Sequence, residues 1–393
     1  MNSVLEKKLN AGLAQMKSSG TYKTLRYLQS SMAPEVAMEG RGNVIVMSSN
    51  NYLGFADNPD IIRAGKEALD KYGVGTASVR FICGTYDIHR ELEESIASFF
   101  RTESALTYVS CWNANTGVIP AIAGKGDCLI CDELNHASLI DGVRLSKAER
   151  KIYRHSDMAE LEACLKESEG CGLRLIVTDG VFSMEGDIAN LPEIVCLAEK
   201  YNAAILVDDS HGTGVLGDDG RGIVGHYGLD GKIDIITSTI GKALGGAAGG
   251  FAAGSAALID LLSQISRPQI FSNALPPCVA ACALKAIQIL SSDSSIMERL
   301  RSNTAYLRKR LNDEGVEPLD GESAIVPVII GETARAIDIS NAMLEQGVMV
   351  TGFGYPVVPE GKARIRLQVS AALTKDQIDR VVNVFKSAMD KTG

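Results

Sequence analysis

Six short apolar runs rich in β-branched residues alternate with segments of helical period through the middle of the chain. They fall at 105–109, 127–131, 173–178, 204–208, 233–237 and 250–253. Between them, Met158, Leu161, Cys164 and Leu165 recur at helical spacing behind a cap at Ser156 or Asp157. Ile194, Leu197, Ala198 and Tyr201 do the same behind Asn190 and Pro192. Strands this apolar leave no side for water, so the rhythm predicts an α/β fold whose mostly parallel sheet is covered by helices on both faces.

The pattern changes near residue 285. A helix is expected over 295–313, a strand over 325–330, a helix over 333–346, and strands at 348–351 and 363–369. A last helix opens on the capping box Thr374 to Gln377. A chain of 393 residues exceeds what one core usually supports. The expected organisation is therefore an N-terminal helix and arm (1–50), a large domain (51–285) and a smaller C-terminal α/β domain (286–393).

The segment 363–370 alternates strictly. Ala363, Ile365, Leu367 and Val369 share one face, and Arg364, Arg366 and Gln368 share the other. Taken alone it reads as a half-exposed strand with solvated arginines. The functional alternative is a guanidinium aimed at a carboxylate.

Charge and cysteine usage narrow the function. Lys and Arg total 39 against 48 Asp and Glu, a formal net charge of −9. That argues against a nucleic-acid-binding surface, but a local positive pocket for a small anion is compatible with it. Nine cysteines, an odd number in mostly apolar contexts, fit reduced buried thiols. Cys128 and Cys131 form a C-x-x-C within an apolar run, where strand period would send the sulfurs to opposite faces. No other ligand pair has metal spacing, so no metal site is expected. The N-terminal stretch reads as an amphipathic helix rather than a signal peptide. Charges and glycines interrupt 233–262, so no membrane span is expected and the cytoplasm is the default location.

The chemistry concentrates at two strand ends. The run Ala204–Asp208 ends in an acid, with His211 and Gly212-Thr-Gly214 directly after it. The run 233–237 leads into Ser238-Thr-Ile-Gly-Lys242 and Gly245-Gly246. Ligands of open parallel sheets bind at the carboxyl ends of the strands. A lysine among small residues beside an acid suits pyridoxal phosphate: the amine condenses with the aldehyde, and the carboxylate keeps the ring nitrogen protonated. Each residue alone has a structural explanation; their joint order carries the reading.

Segments along nearly the whole chain resemble the α-oxoamine synthases, fold type I pyridoxal-phosphate enzymes that join a small amino acid to an acyl-CoA. They include SSNNYLG (48–54), SVRFICGT (78–85), DELNHASLIDGVRLSKA (132–148), TDGVFSMEGDIANL (178–191), VDDSHGTGVLGDDGRG (207–222), STIGKALGG (238–246), RPQIFSNALPP (267–277) and YPVVPEGKARIRLQVSAA (355–372). Within the family, SVRFICGT, IGKALGG (240–246), IFSN (270–273) and TGFGYPVVP (351–359) look most like members that condense glycine with acetyl-CoA in a reversible reaction of threonine breakdown. The alternatives are members using another amino acid or a longer acyl-CoA, and, further off, a lyase or aminotransferase that needs no CoA.

The resemblance implies roles. Lys242 would be the Schiff-base lysine and general base, and Asp208 the partner of the ring nitrogen. His211 and Ser183 would bond the ring hydroxyl oxygen, and His136 would stack on the ring. Ser110, Cys111 and Trp112 would start the helix that takes the phosphate, Thr239 would add a hydroxyl, and Ser272 would reach the phosphate of a second subunit in a homodimer. Asn50 and Arg366 would hold the substrate carboxylate, reversing the solvated reading of Arg366. Three positions depart from the family pattern: Trp112 stands where a smaller ring is usual, Gly354 where a bulky side chain is expected, and Leu373 where histidine is common. They bear on substrate rather than cofactor.

Overall fold

The computed structural model describes residues 2–19 and 21–392. Its main sheet has seven strands, in the spatial order Ser104–Tyr108, Gly250–Gly254, Ile235–Thr239, Ala204–Asp208, Arg174–Asp179, Cys128–Asp132 and Glu149–Tyr153. Gly250–Gly254 runs against both neighbours, and the other six share one direction. The six expected runs all form strands, with ends displaced by at most two residues. Glu149–Tyr153 was not expected: unlike Ser104–Tyr108 at the opposite edge, it is charged and largely exposed. Its sequence ERKIY keeps charged residues on an open edge, so it lacks the apolar signal of a central strand.

Both faces of the sheet are buried. Cys128 packs in one apolar cluster, with Ile176, Ile205 and Val207, while Cys131 packs in the other, with Leu129, Val177 and Leu206. The two sulfurs thus point to opposite faces, as strand period requires. Two expected caps are present: Asp157 accepts from the Glu160 amide, and Thr374 and Gln377 cap Lys375–Lys391 reciprocally. Asn190 takes the expected cap position of Leu191–Tyr201, but its side chain donates to Glu193 instead of capping the helix. The helix Ser3–Ser18 buries none of its residues. No described helix is long and apolar enough to cross a membrane.

A second, antiparallel sheet places Ala363–Gln368 between Ile325–Gly331 and Thr351–Phe353. A third joins Glu35–Met38 and Gly42–Val46 to Val348–Met349, so the N-terminal arm pairs with a strand from late in the chain. The polar face of Ala363–Gln368 is not solvated: Arg364 and Gln368 are both buried. A turn from the large sheet covers it, with the Ser183 carbonyl accepting from Arg366 and the Met184 carbonyl from Arg364. Gly354 does not leave a void. A Cβ there would lie 2.3 Å from the Thr333 side chain, so Thr333 occupies the space the glycine gives up. Leu373 is a buried core residue.

His155 fastens that turn to the sheet. Its Nδ1 lies 3.0 Å from Asp132 and its Nε2 2.8 Å from Asp187, and its ring meets Phe182 edge-on. Burial disfavours the imidazolium, but the hydrogen bonds to Asp132 and Asp187 outweigh it and push the pKa up from 6.5 to about 10. A folded-state pKa raised above the unfolded value contributes stability that is complete below pH 6.5 and disappears as pH rises through about 10. Urea midpoints should therefore fall between pH 7 and 10, and His155→Gln should flatten that slope. Equal slopes in the two proteins would refute the clamp.

Candidate active site

The carboxyl ends of the parallel strands bring acids and hydroxyls into one row. Asp179 pairs in register with Asp208, and Asp208 with Thr237. The Asp208 carboxylate is buried yet fully engaged. It accepts from Asn115 Nδ2 at 2.6 Å and from the Ser210 amide at 3.0 Å, and the Cys111 thiol lies 3.7 Å from both of its oxygens. The Thr237 hydroxyl donates to Asn115 Oδ1 at 2.7 Å, which forces the Asn115 NH2 toward Asp208 and Ser138. The Asp208 carboxylate is thereby fixed in one orientation.

The next residue, Asp209, serves a different purpose. It is wholly buried among Gly180, Gly212 and Gly222, and it accepts from Thr213 and Ile223. Burial pushes its pKa up to about 8. Its hydrogen bonds hold the chain reversal that presents His211.

Lys242 follows the strand Ile235–Thr239 and is half-buried within the same cluster. Burial pulls its ammonium below the usual lysine range; Asp208, Cys111 and Asp179 oppose that shift, and Arg366 adds to it. His211 is held well below its usual pKa by burial, then by Lys242, Arg366 and His136, so it is neutral. His136 caps Ala137–Leu145, and its amide donates to Asp179 at 2.6 Å. Surrounding protein lowers its pKa also, against the pull of Asp208. Trp112 meets its ring edge-on, with centroids 6.0 Å apart.

Ser110 caps the helix Cys111–Ile122, accepting from the Asn113 amide, so the expected anion-binding helix start lies where the sequence placed it. Gly250 makes this possible. A Cβ there would come within 2.3 Å of the Cys111 backbone nitrogen, so only glycine lets the strand and the helix start meet this closely. The Thr239 hydroxyl accepts from the Gly241 amide and donates to the Gly249 carbonyl. Ser272 ends the short helix Arg267–Phe271, beside the exposed Phe271, and no described hydrogen bond joins it to the cluster. Ser183 contributes its carbonyl, at 2.8 Å from Arg366.

Arg366 lies with its guanidinium 4.7 Å from the Phe353 ring, and its Nε is buried without a hydrogen-bond partner. Its Nη2 donates to Gln368 Oε1, and Gln368 Nε2 donates to both Asn50 and Tyr52. Sequence reading missed Asn115, Asp179, Tyr52 and, as a site residue, Gln368. Asn115 did leave a signal: it stands four residues after Cys111, on the same face of an apolar helix.

These groups fit pyridoxal phosphate: a helix start for the phosphate, a fixed carboxylate, a lysine with a weakened hold on its proton, and a buried guanidinium with an unpaired N–H. The aminotransferase class I and II family model matches residues 42–385. The chain is 47% identical over 97% of its length to 8-amino-7-oxononanoate synthase 1 of Bacillus velezensis, covering 97% of that protein. It is 45% identical over 98% of its length to the mitochondrial 2-amino-3-ketobutyrate coenzyme A ligase of Bos taurus, covering 91% of it. A structure of SPT with PLP superposes with a TM-score of 0.94 at 34% identity, over 100% of both chains. The chain belongs to the α-oxoamine synthases, pyridoxal-phosphate-dependent acyltransferases within the class I and II aminotransferase family.

Proposed function

We propose that this protein joins glycine to acetyl-CoA, releasing CoA and 2-amino-3-oxobutyrate, in a reaction that also runs in reverse. The observation that carries the general reaction is the convergence of Lys242, Asp208, His211 and Arg366 on one strand-end cluster. The choice of glycine and acetyl-CoA is supported by the segments 78–85, 240–246, 270–273 and 351–359 and by the ligase relatives.

When bound, pyridoxal phosphate supplies an aldehyde that captures amines and a ring that accepts the electron pair left at the α-carbon. The protein's part is placement and proton transfer. Ser110, the Cys111 and Trp112 amides, Thr239 and the partner copy's equivalent of Ser272 would hold the phosphate, to which the Thr239 hydroxyl would donate in place of the Gly249 carbonyl. Asp208 would hold a proton on the ring nitrogen, His211 and Ser183 would bond the ring oxygen, and His136 would cover one ring face. Asn50 and Arg366 grip the amino-acid carboxylate, which orients the α C–H bond for Lys242 to remove its proton. Weakened protonation of Lys242 places more of its amine in the basic form at neutral pH. The exposed Phe81, Ile82 and Phe271 beside Ser272 fit burial against a second copy, and the expected domains place Arg366 on the smaller one.

A second reading, an 8-amino-7-oxononanoate synthase, is favoured by relatives at 47% identity. Thiol release from acetyl-CoA and longer acyl-CoAs, each with glycine, alanine and serine, separates the two. Glycine-dependent release from acetyl-CoA supports the proposal, and release only with alanine and a longer thioester replaces it. Arg366→Gln should raise the amino-acid KM about 10–100-fold through loss of a charge-assisted pair, with the acyl-CoA KM unchanged. An unchanged amino-acid KM would remove Arg366 from the carboxylate grip.

A further inference from the structure

We propose that Gln368 is a positioning residue whose one amide sets the donor and acceptor sense of both Asn50 and His211. The inference rests on the carboxylate and ring-oxygen roles given above to Arg366, Asn50 and His211.

The starting point is that a guanidinium only donates. Arg366 Nη2 lies 3.1 Å from Gln368 Oε1, so the Gln368 oxygen must face the arginine and its NH2 must face the other way. There it donates to Asn50 Oδ1 and, at 3.1 Å, to the Tyr52 hydroxyl oxygen. Two consequences follow. The Asn50 oxygen is occupied, which turns the Asn50 NH2 away from Gln368 and leaves it to donate. The Tyr52 oxygen accepts from Gln368, so its own proton goes to His211 Nδ1, 2.8 Å away. A neutral imidazole that accepts at Nδ1 carries its proton on Nε2.

Every amide and ring in the chain thus takes its direction from the fixed polarity of Arg366. Tyr52 and Gln368 are only 1% and 2% exposed, so water cannot repair a reversed orientation. Arg366 itself is held independently, by the Ser183 carbonyl and the Phe353 ring. A carboxylate grip and a ring-side hydrogen-bond donor, far apart in sequence, are therefore set by a single side chain between them.

The test compares Gln368→Glu, Gln368→Met and Tyr52→Phe with Arg366→Gln in the cofactor-loaded protein. Glutamate accepts from Arg366 but cannot donate, so the Asn50 amide should reverse and Tyr52 should donate to the new carboxylate instead of His211. The amino-acid KM should rise about 10–100-fold with the acyl-CoA KM unchanged, and Gln368→Met should show a smaller rise. Histidine-labelled 15N spectra, with the His211 signal assigned by loss in His211→Asn, should show Nε2 protonated in the parent. That preference should disappear in Gln368→Glu and Tyr52→Phe. A His211 protonated on Nδ1 in the parent overturns the proposal. So does an unchanged KM in Gln368→Glu beside a raised one in Arg366→Gln. Silence in both KM arms would overturn the carboxylate roles as well. If Gln368→Glu does not fold, Tyr52→Phe decides: it removes one oxygen, and an unchanged His211 spectrum is the overturning result.

Discussion

Replacing Lys242 with alanine should reduce amino-acid-dependent thiol release by about 10⁴-fold or more, because under the proposed function the same amine anchors the cofactor and carries the α-proton. The loss should be chemical rather than structural. Lys242 sits half-buried, and burial already weakens its ammonium, so truncation removes a desolvated charge and should leave the unfolding temperature at or slightly above that of the parent. Thiol release and thermal unfolding measured on the same preparation separate the two. Turnover within tenfold of the parent would mean that another group removes the proton.

Asp208→Asn should produce the second largest loss, about 10³-fold in kcat, equivalent to about 4 kcal/mol of transition-state stabilisation. Asn115, the Ser210 amide and the Cys111 thiol all direct hydrogens at this carboxylate. An amide in its place offers one oxygen to three donors, and its own NH2 meets the Asn115 NH2 or the thiol. The carboxylate that the proposed function sets against the ring nitrogen is lost at the same time. A companion Asn115→Leu variant, which keeps the charge but frees the carboxylate to turn, should lose less activity than Asp208→Asn. Equal activity of Asp208→Asn and parent would show that the acid serves only the fold. The adjacent Asp209 gives a contrast: its Thr213 and Ile223 bonds hold a loop, so its replacement should lower stability more than the ratio of kcat to KM.

Much of this arrangement is legible before any coordinates. The central strands announce themselves because burial on both faces demands uninterrupted apolar residues, and Ala204–Asp208 matches its expected bounds. Lys242, Asp208 and His211 are legible because they sit at strand ends, where an open parallel sheet places its ligands. Glu149–Tyr153 is not legible, since this edge strand is charged and mostly exposed where the opposite edge, Ser104–Tyr108, is apolar. Nor is the burial of Arg364 and Gln368, because the alternation of their strand reports two faces without saying what covers the polar one. Gly354 illustrates the same limit from the other side: its missing side chain suggests open space until Thr333, 21 positions earlier in the chain, is seen to occupy it.

The sequence by itself determined the class of fold, the strand ends that bring the candidate residues together, and the lysine, acid and histidine proposed to serve the cofactor, because strand period, burial and residue chemistry are local properties. Only the tertiary structure decided how those groups are aimed. Asn115 meets Asp208 across 93 positions, Gln368 meets Tyr52 across 316, and His155 reaches Asp187 across 32. Hydrogen-bond direction in a buried network depends on which partner can only donate and which can only accept. That is settled when the strands are brought side by side and water is excluded.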